Sequence, residues 1–130
     1  MASSWHSSKV TIDLAMLKRL DNAAKVTLSK TAEAVKTDII NEQVIPFDTG
    51  NLQNESTFVD TTKISEGKTS IVSSAPYARK LYYHPEFNFR KTNNGNARGE
   101  WFEPWISGSR KNFVVEAFAK IYKGEIGWYF

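Results

Sequence analysis

The sequence predicts an α+β domain, because a long helical pattern, an antiparallel hairpin pattern and two further helical patterns follow one another along its 130 residues. The mass of 14.7 kDa is that of one ordinary domain. Hydrophobic residues make up 41% and charged residues 24% of the chain, which argues against a disordered tail and against a membrane protein. No cysteine is present, so the core must be held by packing alone or be completed by partner chains.

The first helical pattern covers residues 14–43 and follows a short extended stretch at residues 9–13. Its apolar residues recur at steps of three and four, which places them on one helix face opposite lysines and acidic residues. That apolar set comprises Leu14, Leu17, Ala24, Leu28, Thr31, Ala32, Val35 and Ile39. Either Thr11 or Asp13 is expected to cap the helix, and Pro46 marks its boundary. About 30 helical residues predict a rod of roughly 45 Å, which would overhang its own core and pack on neighbouring chains.

A turn is predicted directly after this helix, over residues 46–52. Pro46 presets the backbone at its entry, Asp48 can bond its own backbone, and Gly50 can adopt the left-handed conformation. These roles explain all three residues without invoking chemistry.

An antiparallel hairpin is predicted next, because the apolar period falls to two between residues 52 and 74. The strand-like segments are residues 56–60 and 69–73, and residues 65–68 form the turn that precedes the second segment.

A second, short helix is predicted to start at Pro76, because proline at the first helical position needs no N–H. Tyr77, Leu81 and His84 are expected to share its apolar face, and Pro85 is expected to end it.

A third helix is predicted over residues 109–122, with Phe113, Ala117 and Ile121 on its apolar line. The aromatic cluster at residues 101–105 precedes it and is expected to form the core beneath it. The alternative is that part of this cluster anchors an interface, where Trp and Tyr are concentrated.

The sequence is divided into a flexible N-terminal arm at residues 1–9, a single domain at residues 10–123 and an aromatic C-terminal tail at residues 124–130. Three rings in water would form a costly apolar patch, so the tail is expected to dock on its own domain or on a neighbour. Those rings are Trp128, Tyr129 and Phe130.

The basic charge is concentrated in the middle of the chain. Residues 76–111 hold seven Lys and Arg against three Glu, a net charge of +4, whereas the whole chain carries +3. Residues 88–99 are polar and rich in Asn and Gly, which predicts a long exposed loop. Its cations, Arg90, Lys91 and Arg98, are candidates for contact with DNA phosphates or with a protein partner.

No catalytic or metal-binding constellation is found in the sequence. Its two histidines, His6 and His84, are 78 positions apart, and no His, Asp or Glu residues have the spacing of a metal site. There is no cysteine nucleophile, no Gly-x-Ser-x-Gly motif and no phosphate-binding loop. The turn explains Asp48, and packing or capping at a helix end explains His84. We therefore expect no enzyme, no metal and no cofactor.

Two segments carry a resemblance to a known family. Residues 46–52 are Pro-Phe-Asp-Thr-Gly-Asn-Leu, and after the predicted hairpin residues 76–85 are Pro-Tyr-Ala-Arg-Lys-Leu-Tyr-Tyr-His-Pro. In this order they resemble the minor capsid, or neck, proteins of tailed phages that infect Gram-positive bacteria, and more distantly the tail-completion family. The resemblance covers residues 10–122. The fold positions that it carries over are Asp48, Thr49, Gly50, Leu52, Pro76, Tyr77, Ala78, Arg79 and Tyr82.

The resemblance implies a structural virion protein without enzymatic activity. It implies an α+β fold in which a long N-terminal helix packs on a small antiparallel β-sheet with two further helices. Such proteins lie at the phage neck, where they join the DNA-filled head to the tail as rings around the DNA channel. The implied partners are other copies in a homo-oligomeric ring, neighbouring neck and tail-terminator proteins, and DNA in the channel, with no membrane. The implied location is the virion, after synthesis in the cytoplasm of the bacterial host.

A ring contact uses two different patches on each chain. We expect the long helix to supply one patch, and Trp128, Tyr129 and Phe130 to supply part of the other. The alternative function is a small nucleic-acid-binding domain that acts through the basic segment 76–111. A third hypothesis is a hydrolase that uses His84 and Asp48.

Overall fold

A three-stranded antiparallel sheet packs against a long helix in the computed structural model, which describes residues 8–13, 21–47 and 50–127. The strands are β1 (Ser8–Asp13), β2 (Thr57–Asp60) and β3 (Lys68–Ser73). The α-helices are α1 (Asn22–Asn41), α2 (Ala78–Tyr82), α3 (Glu103–Ile106) and α4 (Lys111–Glu125). This combination confirms the predicted α+β class and the long helix in the N-terminal part of the chain.

The central strand is β3, and β1 and β2 pair with it on either side in antiparallel register. Ile71 is buried and lies opposite Val10 on one side and Val59 on the other, and all three pack in the core. The β2–β3 pair confirms the predicted hairpin. Ser8 and Lys9, which the sequence analysis placed in the N-terminal arm, are the first two residues of β1.

The start of α1 is set by Asp21, whose backbone is extended and whose Oδ1 accepts a hydrogen bond from the Ala24 N–H at 2.7 Å. The predicted caps are therefore wrong, because Thr11 and Asp13 lie in β1. The helix that ends at Asn41 has 20 residues and is about 30 Å long, shorter than the predicted rod. The predicted apolar positions Leu14 and Leu17 lie outside the described residues. The rest of the apolar stripe is buried: Ala24, Leu28, Thr31, Ala32, Val35 and Ile39.

The chain between α1 and β2 differs from the prediction. Residues Asn51–Glu55 form a single π-helical turn, although the period-two pattern predicts extended chain from residue 52. Leu52 is buried in the core, and its carbonyl accepts a hydrogen bond from Thr57 Oγ1 at 2.6 Å. The turn is therefore tied to the first residue of β2, and the packing of Leu52 in the core overrides the local pattern.

The second helix, α2, begins at Ala78, two residues after Pro76. Its buried face is formed by Ala78 and Tyr82, whereas Tyr77 is 42% exposed and His84 is exposed as well. Of the predicted apolar face, Leu81 packs against the core, whereas the predictions for Tyr77 and His84 are wrong. The later start of the helix turns Ala78 toward the core and Tyr77 toward solvent.

The aromatic cluster that follows lies in the core, as predicted, and includes α3, which the sequence analysis did not anticipate. Trp101 and Phe102 are fully buried, and Trp105 is nearly so. The Trp101 ring meets the Tyr82 ring edge to face at 4.8 Å between centroids. Its Nε1 donates to Ser73 Oγ, which joins this cluster to the end of β3.

The last helix, α4, lies against α1 and runs antiparallel to it. Before its first turn Arg110 pairs with Asp38, near the carboxyl end of α1. At its other end the Tyr122 hydroxyl donates to Asp21 Oδ2 at 3.1 Å. Gly124 and Glu125, which the sequence analysis assigned to the tail, belong to α4, while Trp128, Tyr129 and Phe130 lie outside the described residues.

Candidate interaction surfaces

A wide apolar groove of about 960 Å³ lies between the turn that follows α1 and the segment around α2. We call it the aromatic groove. Its main apolar lining is Phe47, Leu52, Tyr77, Leu81, Phe87 and Phe89. Gly50 and Arg90 also line it. The fold therefore brings together residues from both segments that carry the family resemblance, although these segments are separated by the whole β2–β3 hairpin.

The wall of the groove at Phe47 depends on Gly50. This glycine has φ +88°, a left-handed conformation that the turn pattern predicted. A Cβ at this position would lie 2.9 Å from Cζ of Phe47 and 3.0 Å from the Asn54 amide. The absence of a side chain thus lets the Phe47 ring pack directly on the turn.

The opposite part of the groove contains the exposed Phe87 and the half-buried Phe89. The Phe87 and Phe89 rings lie 6.4 Å apart between centroids. His84 stacks on Phe87 at 4.7 Å, and its Nδ1 lies 2.8 Å from Oε2 of Glu86. The hydrogen bond from His84 lowers the pKa of the Glu86 carboxyl. His84 is thus engaged with neighbouring side chains at the end of α2.

The remaining residues of the two motifs have other positions. Ala78 and Tyr82 are buried in the core, where burial raises the pKa of the Tyr82 hydroxyl far above its ordinary value. Pro76 and Arg79 line a separate depression, in which the Arg79 guanidinium lies 5.8 Å above the Tyr83 ring. Asp48 and Thr49 lie outside the described residues, so the pairing of Asp48 with His84 stays a prediction.

The basic loop at residues 88–99 is attached to the core and is not wholly exposed, which corrects the prediction. Asn94 is 5% exposed, and its Nδ2 donates to the Ile45 carbonyl and to Gln53 Oε1, each at 2.8 Å. A further hydrogen bond joins the Arg98 N–H to the Val44 carbonyl at 2.9 Å. Buried amides with partners of this kind hold a loop in one place.

The three cations of this loop are exposed but do not form one patch. Arg90 lines the aromatic groove. Lys91 and Arg98 line a different depression, together with Arg110 and the acidic Glu42. The sequence placed these cations on one loop, and the fold divides them between two surfaces.

A second apolar surface lies where α4 meets α1, with a groove of about 640 Å³. We call it the α4 surface; its lining includes Phe113, Ala117, Ile121, Gly124, Lys30 and Glu125. The apolar line of α4 is only half-buried, and the helix contains no fully buried side chain. The ion pair between Lys30 and Glu125, 2.5 Å long, borders this surface.

Within the ranges 8–13, 21–47 and 50–127, no three His, Asp or Glu side chains are close enough to hold a metal ion. No helix in these ranges is long and apolar enough to cross a membrane. Comparisons with protein-family models, with curated proteins and with solved structures found no match. The surfaces and the sequence pattern are therefore the basis for inferring a function.

Proposed function

We propose that this protein is a non-enzymatic structural subunit of a phage neck, which forms a ring and joins the DNA-filled head to the tail. The observation that carries this proposal is that one small chain exposes two apolar surfaces with no residue in common, the aromatic groove and the α4 surface. Exposed apolar grooves on a small domain are typical of contacts with other proteins.

Two distinct surfaces are the requirement for a head-to-tail ring. One surface of each subunit then binds a different surface of the next subunit. The subunits form a ring when the rotation from each one to the next leads back to the first. A two-fold dimer would need only one self-complementary surface. The α1 stripe, which we expected to supply one of the patches, is covered by the sheet and by α4. The aromatic groove takes its place in the proposal.

The sequence resemblance and the exposed cations support the same function. Three of the motif positions, Gly50, Leu52 and Tyr77, line the aromatic groove together, and they come from both resembling segments. Arg90, Lys91 and Arg98 are exposed and are suited to DNA in a channel or to acidic neighbours. The proposed partners are other copies, neighbouring neck and tail-terminator proteins and channel DNA, and the proposed location is the virion.

Assembly is tested with the full chain by native mass spectrometry at low and moderate salt. The expected result is one closed oligomer that persists at moderate salt, because apolar contacts are not screened. Phe87→Glu in the aromatic groove and Ala117→Glu on the α4 surface should each reduce it to monomers. Val26→Glu is the matched control, because Val26 is 41% exposed on α1 and lines neither groove. Circular dichroism verifies that each variant is folded, and a folded chain that is monomeric at every concentration contradicts the ring.

The role in the neck is tested by removing the protein from a phage that encodes it. The expected products are DNA-filled heads and separate tails, with joining restored by the native chain and not by the Phe87→Glu variant. Normal virions assembled without the protein would overturn the proposal.

The second candidate, nucleic-acid binding, is favoured by the exposed Arg79 and Lys80, which line one depression within the basic segment 76–111. Phosphate contacts weaken steeply with salt because they release counterions. Tight DNA binding by the monomer, lost at moderate salt and reduced by Arg79→Ala with Lys80→Ala, would favour this function over the ring.

A further inference from the structure

The exposed side of α4 carries a second line of apolar residues. Val115 is 62% exposed and Ile126 is 42% exposed, although both are aliphatic. Ile126 continues the last turn of α4, because its N–H donates to the Tyr122 carbonyl at 3.1 Å. Between these two lie the exposed Ala119 and the half-buried Tyr122. We call this line of Val115, Ala119, Tyr122 and Ile126 the α4 seam.

The spacing of the α4 seam is that of a coiled coil. Its steps of four, three and four residues place the four side chains along one side of the helix. The apolar lining of the α4 surface lies on roughly the opposite side of the same helix and is half-buried; it comprises Phe113, Ala117 and Ile121. Since α4 packs on α1, the domain covers that side and leaves most of the seam in water.

Opposite charges flank the α4 seam on its solvent side. Glu116 and Lys123 are both exposed and are seven residues apart, so they lie on the same flank of the helix. Among residues 8–13, 21–47 and 50–127, neither has a hydrogen-bond or ion-pair partner. When two such helices pair in antiparallel orientation, this flank meets the same flank of the second helix. Glu116 then faces Lys123 of the second copy, and the two-fold axis repeats the ion pair.

The sizes of the seam residues fit the same antiparallel register. Val115 lies against Ile126 of the second copy, and the small Ala119 lies against the large Tyr122 of the second copy. The dipoles of the two helices run in opposite directions, which is favourable. A parallel pair would instead place Tyr122 against Tyr122 and align the two dipoles.

We propose that the α4 seam is a self-complementary surface through which two copies of this chain pair in antiparallel orientation. This inference does not depend on the proposed ring, because the four seam residues line neither the aromatic groove nor the α4 surface. One helix from each copy buries less than the roughly 1,600 Å² of a standard interface, so the pair is weak. We expect a dissociation constant of about 0.1 mM.

Sedimentation equilibrium measures this pairing in the Phe87→Glu variant of the full chain, which lacks a contact needed for the ring and keeps α4 unchanged. The expected result is monomer at about 10 µM and mostly dimer at about 1 mM. A folded chain that is still monomeric at about 1 mM overturns the pairing and leaves the ring intact. A dimer here, with no closed oligomer in the native chain, supports the pairing and contradicts the ring.

Charge reversal tests the register. Lys123→Glu should lower the association constant about tenfold, because it places a second carboxylate opposite Glu116. Glu116→Lys should do the same, and the two changes combined should restore association to within about twofold of the starting value. Glu33→Lys is the matched control, because Glu33 is an exposed acid on α1. If the combined variant keeps its circular dichroism but does not regain association, the antiparallel register is wrong.

Introduced thiols test the orientation, because the chain has no cysteine. Val115→Cys is mixed with Ile126→Cys under a mild chemical oxidant. The mixed disulfide should exceed that of Val26→Cys with Ile126→Cys about tenfold, because pairing raises the effective concentration of the thiols. Equal yields in the two mixtures overturn the pairing. If Val115→Cys links to itself more than to Ile126→Cys, the helices are parallel and the proposal is overturned.

Discussion

The carboxylate of Asp38 on α1 forms an ion pair with Arg110, the residue directly before α4. Arg110 Nη2 donates to Asp38 Oδ1 at 2.5 Å, and Nε donates to Oδ2 at 2.9 Å, so the pair is bidentate. Oδ2 also accepts a hydrogen bond from Nε1 of the buried Trp105 at 2.9 Å. This hydrogen bonding to Asp38 raises the pKa of the Arg110 guanidinium. One carboxylate thus connects α1, α3 and the start of α4.

Asp38→Ala should lower the free energy of unfolding by about 2 kcal/mol, since the buried Trp105 N–H loses its acceptor. Urea denaturation measures this loss. Glu33→Ala is the control, because Glu33 is an exposed acid on the same helix and is expected to change stability by less than about 0.5 kcal/mol. Equal effects of the two substitutions would contradict the structural role of Asp38.

Gly99→Ala should destabilise the protein, whereas Gly95→Ala in the same loop should not. A Cβ at Gly99 would lie 2.7 Å from the backbone Cα of Pro85, so the backbone must move, at a cost of about 1–3 kcal/mol. A Cβ at Gly95 would meet only Gln43 Oε1, at 3.9 Å. Thermal unfolding of the two variants compares them, and similar midpoints would show that the contact between Gly99 and Pro85 is absent.

Asn94→Ala should release the basic loop from the core. The substitution leaves the Ile45 carbonyl and the Gln53 amide oxygen without their donor, which costs about 1–3 kcal/mol. Trypsin provides a local measurement, because cleavage after Arg90, Lys91 and Arg98 should accelerate before the whole chain unfolds.

The control for this experiment is Asn93→Ala, because Asn93 is exposed in the same loop. Its cleavage rate should equal that of the native chain. If both variants are cut equally fast, the hydrogen bonds of Asn94 do not hold the loop.

Tyr82 should make the protein sensitive to alkaline pH. Burial, followed by the nearby acidic Glu103, raises the pKa of its hydroxyl far above the ordinary value of 10.0. The unfolded state therefore loses this proton first, so the stability contributed by neutral Tyr82 is complete below pH 10.0 and falls as the pH rises above it.

Urea denaturation across this alkaline range tests the effect with Tyr82→Phe, which should lose less stability with pH than the native chain. Tyr122→Phe serves as a comparison, since Tyr122 also has a raised pKa, caused by its hydrogen bond to Asp21, but lies at the surface. A native chain and a Tyr82→Phe variant with parallel pH profiles would contradict the prediction.

Local patterns were sufficient to predict several elements of the fold. The apolar stripe from Ala24 to Ile39 predicted the buried face of α1, and the period-two segments predicted β2 and β3. The left-handed turn at Gly50 and the buried aromatic cluster at Trp101 were also predicted. These features depend on neighbours within one turn or one hairpin, which the sequence displays directly.

Other features could not be read from local periodicity. They are the start of α1 at Asp21, the buried face of α2 at Ala78 and the attachment of the loop through Asn94. For Asn94 the deciding partners, Ile45 and Gln53, are distant in sequence, whereas Asp21 and Ala78 reflect a choice between acceptable local geometries. The same is true of the aromatic groove. The sequence shows which aromatic residues are present, but only the fold shows that they line one surface.

The sequence alone determined the class of fold, the apolar stripe of the long helix, the hairpin and the residues of the two motifs. The tertiary structure decided that Gly50, Leu52, Tyr77 and Leu81 line one groove, and that Arg90 lies apart from Lys91 and Arg98. Periodicity reports which residues avoid water, because it follows from the helix and strand repeats. Which of those residues then meet is fixed by packing between segments far apart in the chain, and that requires the folded structure.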